Sequence, residues 1–263
     1  MLHKITFLFF LLLRNNLLFA SDTLLLEKVI PIKASLLQVD AVGNFYVVLK
    51  NNTLVRYNSN GDSTGFFNEI KKGKISLIDA SNPLRLLLFY ADYGNIVLLD
   101  QMLSLKNRIS LHKKNIYHAT QVAISADGGI WVYDPASTQL LKIDEKLNIR
   151  YTNQLNQTLK KNLQLTCMLE HHRTLFVSDI QEDIFKFDLY GFYLNQYHIT
   201  PLPFQVYENN IVYYDKNILH SYNFKTLEEK KLILPVKNIL SAKASRNKIY
   251  IHTSNAIYIY KLN

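Results

Sequence analysis

The feature that most constrains this chain is a repeat. Six short runs rich in β-branched and aromatic residues recur along it: Asn44–Val48, Arg85–Phe89, Ile130–Tyr133, Thr174–Val177, Asn210–Tyr213 and Lys248–Ile251. Measured at Phe45, Leu87, Trp131, Phe176, Val212 and Tyr250, the steps are 42, 44, 45, 36 and 38 residues. Self-similarity at this period marks propeller blades. A second run follows each first one: Leu54–Tyr57, Ile96–Leu99, Leu140–Ile143, Ile184–Phe187, Leu219–Tyr222 and Ile257–Tyr260. Five of these run into Asn58, Asp100, Asp144, Asp188 and Asn223, side chains suited to an Asx-turn.

Another strand and a tight turn precede each first run, as in Leu36–Asp40, Gln121–Ile124 and Phe204–Tyr207. A fourth strand follows the second run in the preceding units, as in Lys106–Leu111 and Glu229–Leu234. Four antiparallel strands make one blade, so the expectation is an all-β, six-bladed β-propeller. The last unit ends after three strands, while Leu24–Ile30 is a strand without a unit. It is expected to serve as the outer strand of the last blade, closing the ring and removing an open sheet edge. A transmembrane β-barrel is the rival all-β architecture. It needs strands of about ten residues in strict alternation, whereas these runs are shorter and apolar on both faces.

The N-terminus reads as a secretory leader: basic Lys4, the apolar run Ile5–Leu13, and a small residue at Ala20. Residues 1–20 are therefore expected to be a signal peptide and 21–263 a single propeller domain, exported to the periplasm or associated with the outer membrane. The apolar run is too short to span a bilayer, so the mature protein is not expected to be integral to the membrane. Cys167 is the single cysteine of the chain, so no intrachain disulfide can form. Among apolar neighbours, it is expected to be a small buried residue of an inner strand.

Lys and Arg exceed Asp and Glu by nine, which favours an anionic partner. Nucleic acid is excluded as a partner class, since the chain has no basic helix and no recognised reading motif.

The units Val39–Tyr46 and Ile124–Trp131 resemble those of six-bladed propellers of the NHL and YVTN-like class. The stretch Ile78–Tyr90, continuing to Ile96–Asp100, resembles an uncharacterised family of exported six-bladed propellers in Bacteroidetes-type bacteria. Such bacteria export proteins through a large outer-membrane translocon, the type IX system, which uses periplasmic accessory subunits. The resemblance implies an envelope scaffold, with an accessory role at that translocon within its scope. It transfers no site residue.

In a propeller the blade-to-blade crossings share one face with the turns between second and third strands. The crossings hold Lys33, Lys71, Lys72, Lys74, Lys113, Lys114, Lys160, Lys161 and Lys237; only Thr200–Pro203 lacks lysine. Amines gathered at one mouth of the channel would favour an acidic partner, and these lysines are the candidate binding residues. Asp92, Asp134, Asp179 and Asp215 occupy the turns after the first-named runs and are secondary candidates, as a carboxylate ring or, more simply, as Asx-turn residues.

Catalysis finds little support. No histidine recurs at the repeat period, and His171-His172 falls in a turn expected on the opposite face. There is no Gly-x-Ser-x-Gly elbow and no phosphate-cradling Gly-rich loop. No metal or cofactor is implied. Among 17 tyrosines, Tyr93, Tyr117 and Tyr207 lie in or near loops, where aromatics serve as interface anchors; the others, with Trp131, are read as packing. The expectation is a non-catalytic interaction or scaffold protein of the cell envelope that binds an acidic protein segment or an anionic envelope component. The alternative is a propeller hydrolase or lyase acting on a carbohydrate or lactone.

Overall fold

The structure, a computed structural model, describes residues 24–69, 73–180, 183–199 and 203–262. The leader expected at 1–20 and the candidates Lys71 and Lys72 lie outside the described residues. Strand β1 (Leu24–Ile30) comes first. Blade one is β2 (Ala34–Val39), β3 (Phe45–Leu49), β4 (Leu54–Tyr57) and β5 (Ser63–Phe67). Blade two is β6 (Leu77–Asn82), β7 (Arg85–Tyr90), β8 (Asn95–Asp100) and β9 (Leu105–Ser110). Blade three is β10 (Gln121–Ile124), β11 (Ile130–Asp134), β12 (Gln139–Ile143) and β13 (Ile149–Gln154), followed by a short helix, α1 (Leu155–Leu159). Blade four is β14 (Leu165–His171), β15 (Thr174–Asp179), β16 (Asp183–Phe187) and β17 (Tyr193–Tyr197). Blade five is β18 (Phe204–Tyr207), β19 (Asn210–Asp215), β20 (Ile218–Asn223) and β21 (Glu229–Ile233). Blade six takes β22 (Ile239–Ser245), β23 (Lys248–Thr253) and β24 (Ile257–Leu262) from the end of the chain and β1 from its beginning, in the order β1-β24-β23-β22.

Every blade is a four-stranded antiparallel sheet, and the reason its middle strands read as unbroken apolar runs is visible in the core. Alternate side chains of β3 go to opposite neighbours: Phe45 and Val47 pack with blade six, Tyr46 and Val48 with blade two. In β7, Leu86, Leu88 and Tyr90 face blade one, while Leu87 and Phe89 face blade three. The core is thus divided into six layers, each shared by two adjacent blades. Burial on both faces replaces the apolar–polar alternation of a half-exposed strand.

Turn chemistry fixes the register. Asn58, Asp100, Asp144 and Asp188 each accept backbone N–H groups two and four residues on, at 2.8–3.0 Å. Asn223 accepts from Lys225 and Thr226 at 2.9 and 3.0 Å. These are the turns expected from the sequence.

Closure combines backbone and side-chain bonds. Strand β1 pairs antiparallel with β24 from Leu24↔Leu262 to Ile30↔Ile257, with a bulge between Leu26 and Lys28. Lys28 reaches Asp62 of blade one at 2.9 Å, and Lys248 pairs with Glu27 at 2.6 Å. Buried His252 donates from Nε2 to the Ala34 carbonyl at 3.1 Å, and Tyr250 donates its hydroxyl to the Gly43 carbonyl at 2.8 Å.

Deleting Leu24–Ile30 strips β24 of its outer partner and exposes the apolar flank of blade six. The shortened chain is expected to lose cooperative thermal unfolding and native β-sheet circular dichroism rather than to show a modestly lower Tm. A second expectation concerns acid. The Asn148 side chain, backbone N–H groups and Arg150 bring Asp144 down to about 2. A carboxyl depressed in the folded state stabilises it above the ordinary value of 3.8, and that contribution is lost as pH falls toward about 2. Asp144→Asn keeps the turn, as Asn58 and Asn223 show, and should flatten the acid limb of a stability-versus-pH curve between those values.

Candidate functional site

The blade-to-blade crossings and the turns between second and third strands lie at one end of the ring. The structure places there every described lysine of the expected set. Lys33, Lys74, Lys113, Lys114, Lys160 and Lys237 are exposed, and none forms an ion pair with a described residue. Their backbone is anchored from below. Lys113 and Lys114 end a 3-10 turn, Leu111–Lys114, whose Leu111 is fully buried and whose C-cap, Asn115, is left-handed. Lys160 is the left-handed C-cap of α1, held down by buried Leu155 and Leu163.

Lys161 differs. Its ammonium binds Asp183 Oδ2 at 2.7 Å, lies 3.6 Å from Asp179 Oδ2 and sits over the Phe185 ring. It is a structural ion pair, with little free charge to offer a partner. The reading of the aspartates as Asx-turn residues holds for one of the four. Asp134 accepts from the Ala136 N–H at 2.9 Å. Asp179 is fully buried and accepts from the Gln164 N–H across the crossing at 2.7 Å. Asp92 is exposed in a 3-10 turn, and Asp215 lines a cavity beside Lys216. The four form no continuous carboxylate ring. Among the described residues, no group of three or more His, Cys, Asp or Glu is placed to hold a metal ion.

Two tyrosines join the lysines. Gly73 adopts φ +87°, and a Cβ there would lie 2.9 Å from the Tyr93 ring, so the crossing packs edge-on against that aromatic. A Cβ on Gly94 would meet the His112 ring at 2.9 Å, and His112 packs on Tyr117 with ring centroids 5.1 Å apart. Tyr93 and Tyr117 remain 55% and 53% exposed. Lys74, Tyr93, Lys113, Lys114 and Tyr117 therefore share one sector, over blades two and three.

The polar lining of the axial channel was not anticipated. Each inner strand carries a polar residue at the repeat period: Gln38, Asp79, Gln121, Thr166, Gln205 and Lys243, at steps of 41, 42, 45, 39 and 38. That spacing was readable but is masked by the stronger apolar repeat beside it. Several of these side chains cap the open backbone edge of the next inner strand. Asp79 accepts from the Ile124 N–H at 2.6 Å, and Gln205 bonds both backbone groups of Ala244, at 2.8 and 3.3 Å. Burial pushes the Asp79 carboxyl above its usual range, against two backbone N–H bonds that oppose the shift. Cys167 is only half-buried and lines the channel rather than packing wholly in a core; burial pushes its thiol up.

At the opposite end, Glu170 accepts from Ser125 Oγ at 2.5 Å, Trp131 Nε1 at 2.6 Å and the Ala126 N–H at 2.8 Å, joining blade four to blade three. His171 and His172 lie beside it, in the turn expected on this face. His171 bonds the Glu208 carbonyl at 3.0 Å, and burial lowers its basicity.

No protein-family model matches the chain, and no curated protein sequence matches it. Solved structures do. The WD40 domain of Neurospora crassa Pan2 aligns with a TM-score of 0.62 at 8% identity, covering 92% of this chain and 97% of that one. A catalytically inactive virginiamycin B lyase from Staphylococcus aureus with quinupristin aligns at 0.57 and 11% identity, covering 86% and 80%. A streptogramin B lyase structure aligns at 0.54 and 14% identity, covering 86% and 78%. At such identities the likeness establishes the propeller fold, which lyases and a WD40 domain share, and carries no activity across.

Because Glu170 is buried and serves three donors, Glu170→Ala should lower the free energy of unfolding by about 3 kcal/mol. Urea denaturation monitored by Trp131 fluorescence reads the loss directly.

Proposed function

We propose that this propeller is a non-catalytic interaction module whose lysine-bearing face docks an acidic protein segment or an anionic component of the cell envelope. The observation that carries the reading is the set of exposed lysines without an ion pair at the crossings. At the opposite end, four carboxylates pair with basic side chains: Asp62 with Lys28, Asp100 with Lys106, Asp127 with Lys142 and Asp144 with Arg150. At the crossings, Lys33, Lys74, Lys113, Lys114, Lys160 and Lys237 have no such partner among the described residues. Free positive charge on one face raises encounter rates with an acidic surface and orients it.

Charge alone gives weak, salt-screened attachment. Tyr93 and Tyr117 add exposed aromatic area next to Lys74, Lys113 and Lys114, the composition of an interface hot spot. The packing of Tyr93 on Gly73 and of Tyr117 on His112 holds both rings in place before a partner arrives, which reduces the ordering cost of docking. The leader-like N-terminus and the resemblance carried by Ile78–Asp100 support an envelope setting, where an accessory role at an outer-membrane translocon fits such a surface.

The test uses a fluorescent oligo-glutamate peptide as a stand-in for the acidic segment. The native protein should bind it with an affinity that falls as salt rises. Lys74→Glu with Lys113→Glu and Lys114→Glu should weaken binding by at least about tenfold and remove most of the salt dependence, at unchanged Tm. Tyr93→Ala with Tyr117→Ala should weaken binding while leaving the salt slope intact. Equal affinity and equal salt slope in the lysine variant would overturn the reading.

A further inference from the structure

Of the lysines on inner and middle strands among the described residues, buried Lys142 and half-buried Lys248 are compensated, and buried Lys243 is not. Lys142 pairs with Asp127 at 2.6 Å, donates to the Leu189 carbonyl at 3.1 Å and lies over the Trp131 ring at 4.8 Å. Lys248 pairs with Glu27 at 2.6 Å and donates to the Ser59 carbonyl at 2.9 Å. The third, Lys243 on the inner strand β22, is only 8% exposed, yet it has no hydrogen bond and no carboxylate partner among the described residues. A buried ammonium without a counter-charge is costly. Burial accordingly lowers the basicity of this amine, with only the Cys167 thiol opposing.

Lys243 lies where two cavities meet. One, of about 230 Å³, runs along the axis and is lined by Gln38, Asp79, Gln121, Cys167 and Lys243 among others. The second, of about 410 Å³, is lined by Asp215 and Lys216 of the turn after β19, by His252 and again by Lys243. That turn belongs to the lysine-bearing end, so the second cavity leads from that face toward the axis. Each volume is many times the roughly 10–15 Å³ that one water molecule requires. Gln38, across the join between blades six and one, also lacks a hydrogen-bond partner among the described residues and lines the axial cavity. Its neighbours in the polar repeat, Asp79, Gln121 and Gln205, spend their side chains on adjacent backbone.

We propose that the axial cavity binds a small carboxylate-bearing molecule, its carboxylate paired with Lys243 and hydrogen-bonded by the Gln38 amide. A single ammonium beside a neutral amide matches one negative charge. A phosphate dianion would bring a second charge toward Asp79 with no further cation in the cavity to meet it.

The test is thermal unfolding of the full chain in the presence of acetate, lactate or inorganic phosphate, with Lys243→Met as the variant. Methionine keeps the length of the side chain and removes its charge. A Tm that rises with acetate or lactate concentration, and not with phosphate, is expected of the native protein. Lys243→Met should unfold at a higher temperature than the native protein without ligand and should not respond to either carboxylate. The Lys74, Lys113 and Lys114 reversal should respond as the native protein does. A second measurement needs no variant: acylation of Lys243, followed by mass spectrometry, should slow when carboxylate is present. The proposal is overturned if neither carboxylate raises the native Tm, if phosphate does so more effectively, if Lys243→Met keeps the response, or if carboxylate leaves the acylation rate of Lys243 unchanged.

Discussion

Everything in this structure depends on apolar burial between blades. A single four-stranded sheet with two greasy faces is not a stable object, and each blade here has both. Phe45 and Val47 need blade six; Tyr46 and Val48 need blade two. Each sheet therefore requires two neighbours, and an open stack would leave a greasy face at each end. A ring satisfies all of them, with six layers for six blades. The sheet that joins the two ends of the chain is the necessary completion of that arrangement, since without it the layer holding Tyr250, Ile257 and Ile259 against blade one would be lost.

The same geometry creates the channel and sets its chemistry. The six inner strands present one unpaired backbone edge each toward the axis, and those edges must be satisfied without a further strand. Asp79, Gln121 and Gln205 do so by reaching to the next blade. The polar repeat of the inner strands is therefore first a structural device. Lys243 and Gln38 belong to the same repeat, but among the described residues neither engages a neighbouring backbone, unlike Asp79, Gln121 and Gln205.

Much of the fold was legible from the chain. The runs from Phe45 to Tyr250 gave the blade count, and Leu24–Ile30 supplied the strand that the last unit lacks; both arise from local pattern, which a sequence displays directly. The Asx-turns at Asn58, Asp100, Asp144, Asp188 and Asn223 were equally plain, because a turn is made by residues four apart. The site was less legible. That the crossings cluster their lysines at one end follows from strand direction alone, and Lys33, Lys74, Lys113, Lys114, Lys160 and Lys237 are where topology puts them. Which lysines carry free charge is a tertiary matter: Lys161 is neutralised by Asp183, which belongs to the far side of a hairpin. The sector made by Tyr93 and Tyr117 depends on two glycines that let side chains approach, Gly73 and Gly94, and no spacing rule announces it. The channel lysine was hidden for a simpler reason, since one polar residue in an apolar strand reads as noise until the strand is known to face an axis.

The pairing of β1 with β24 joins residues more than two hundred positions apart, the longest-range strand pairing among the described residues. Its blades can collapse in turn as hairpins, through local contacts that form quickly. The final sheet cannot exist until the last strand has emerged and met the first. During synthesis, Leu24–Ile30 must therefore stay unpaired until β24 has been made. The ring is in this sense a timing device, in which the completed native state reports that β1 and β24 have both been made and have met.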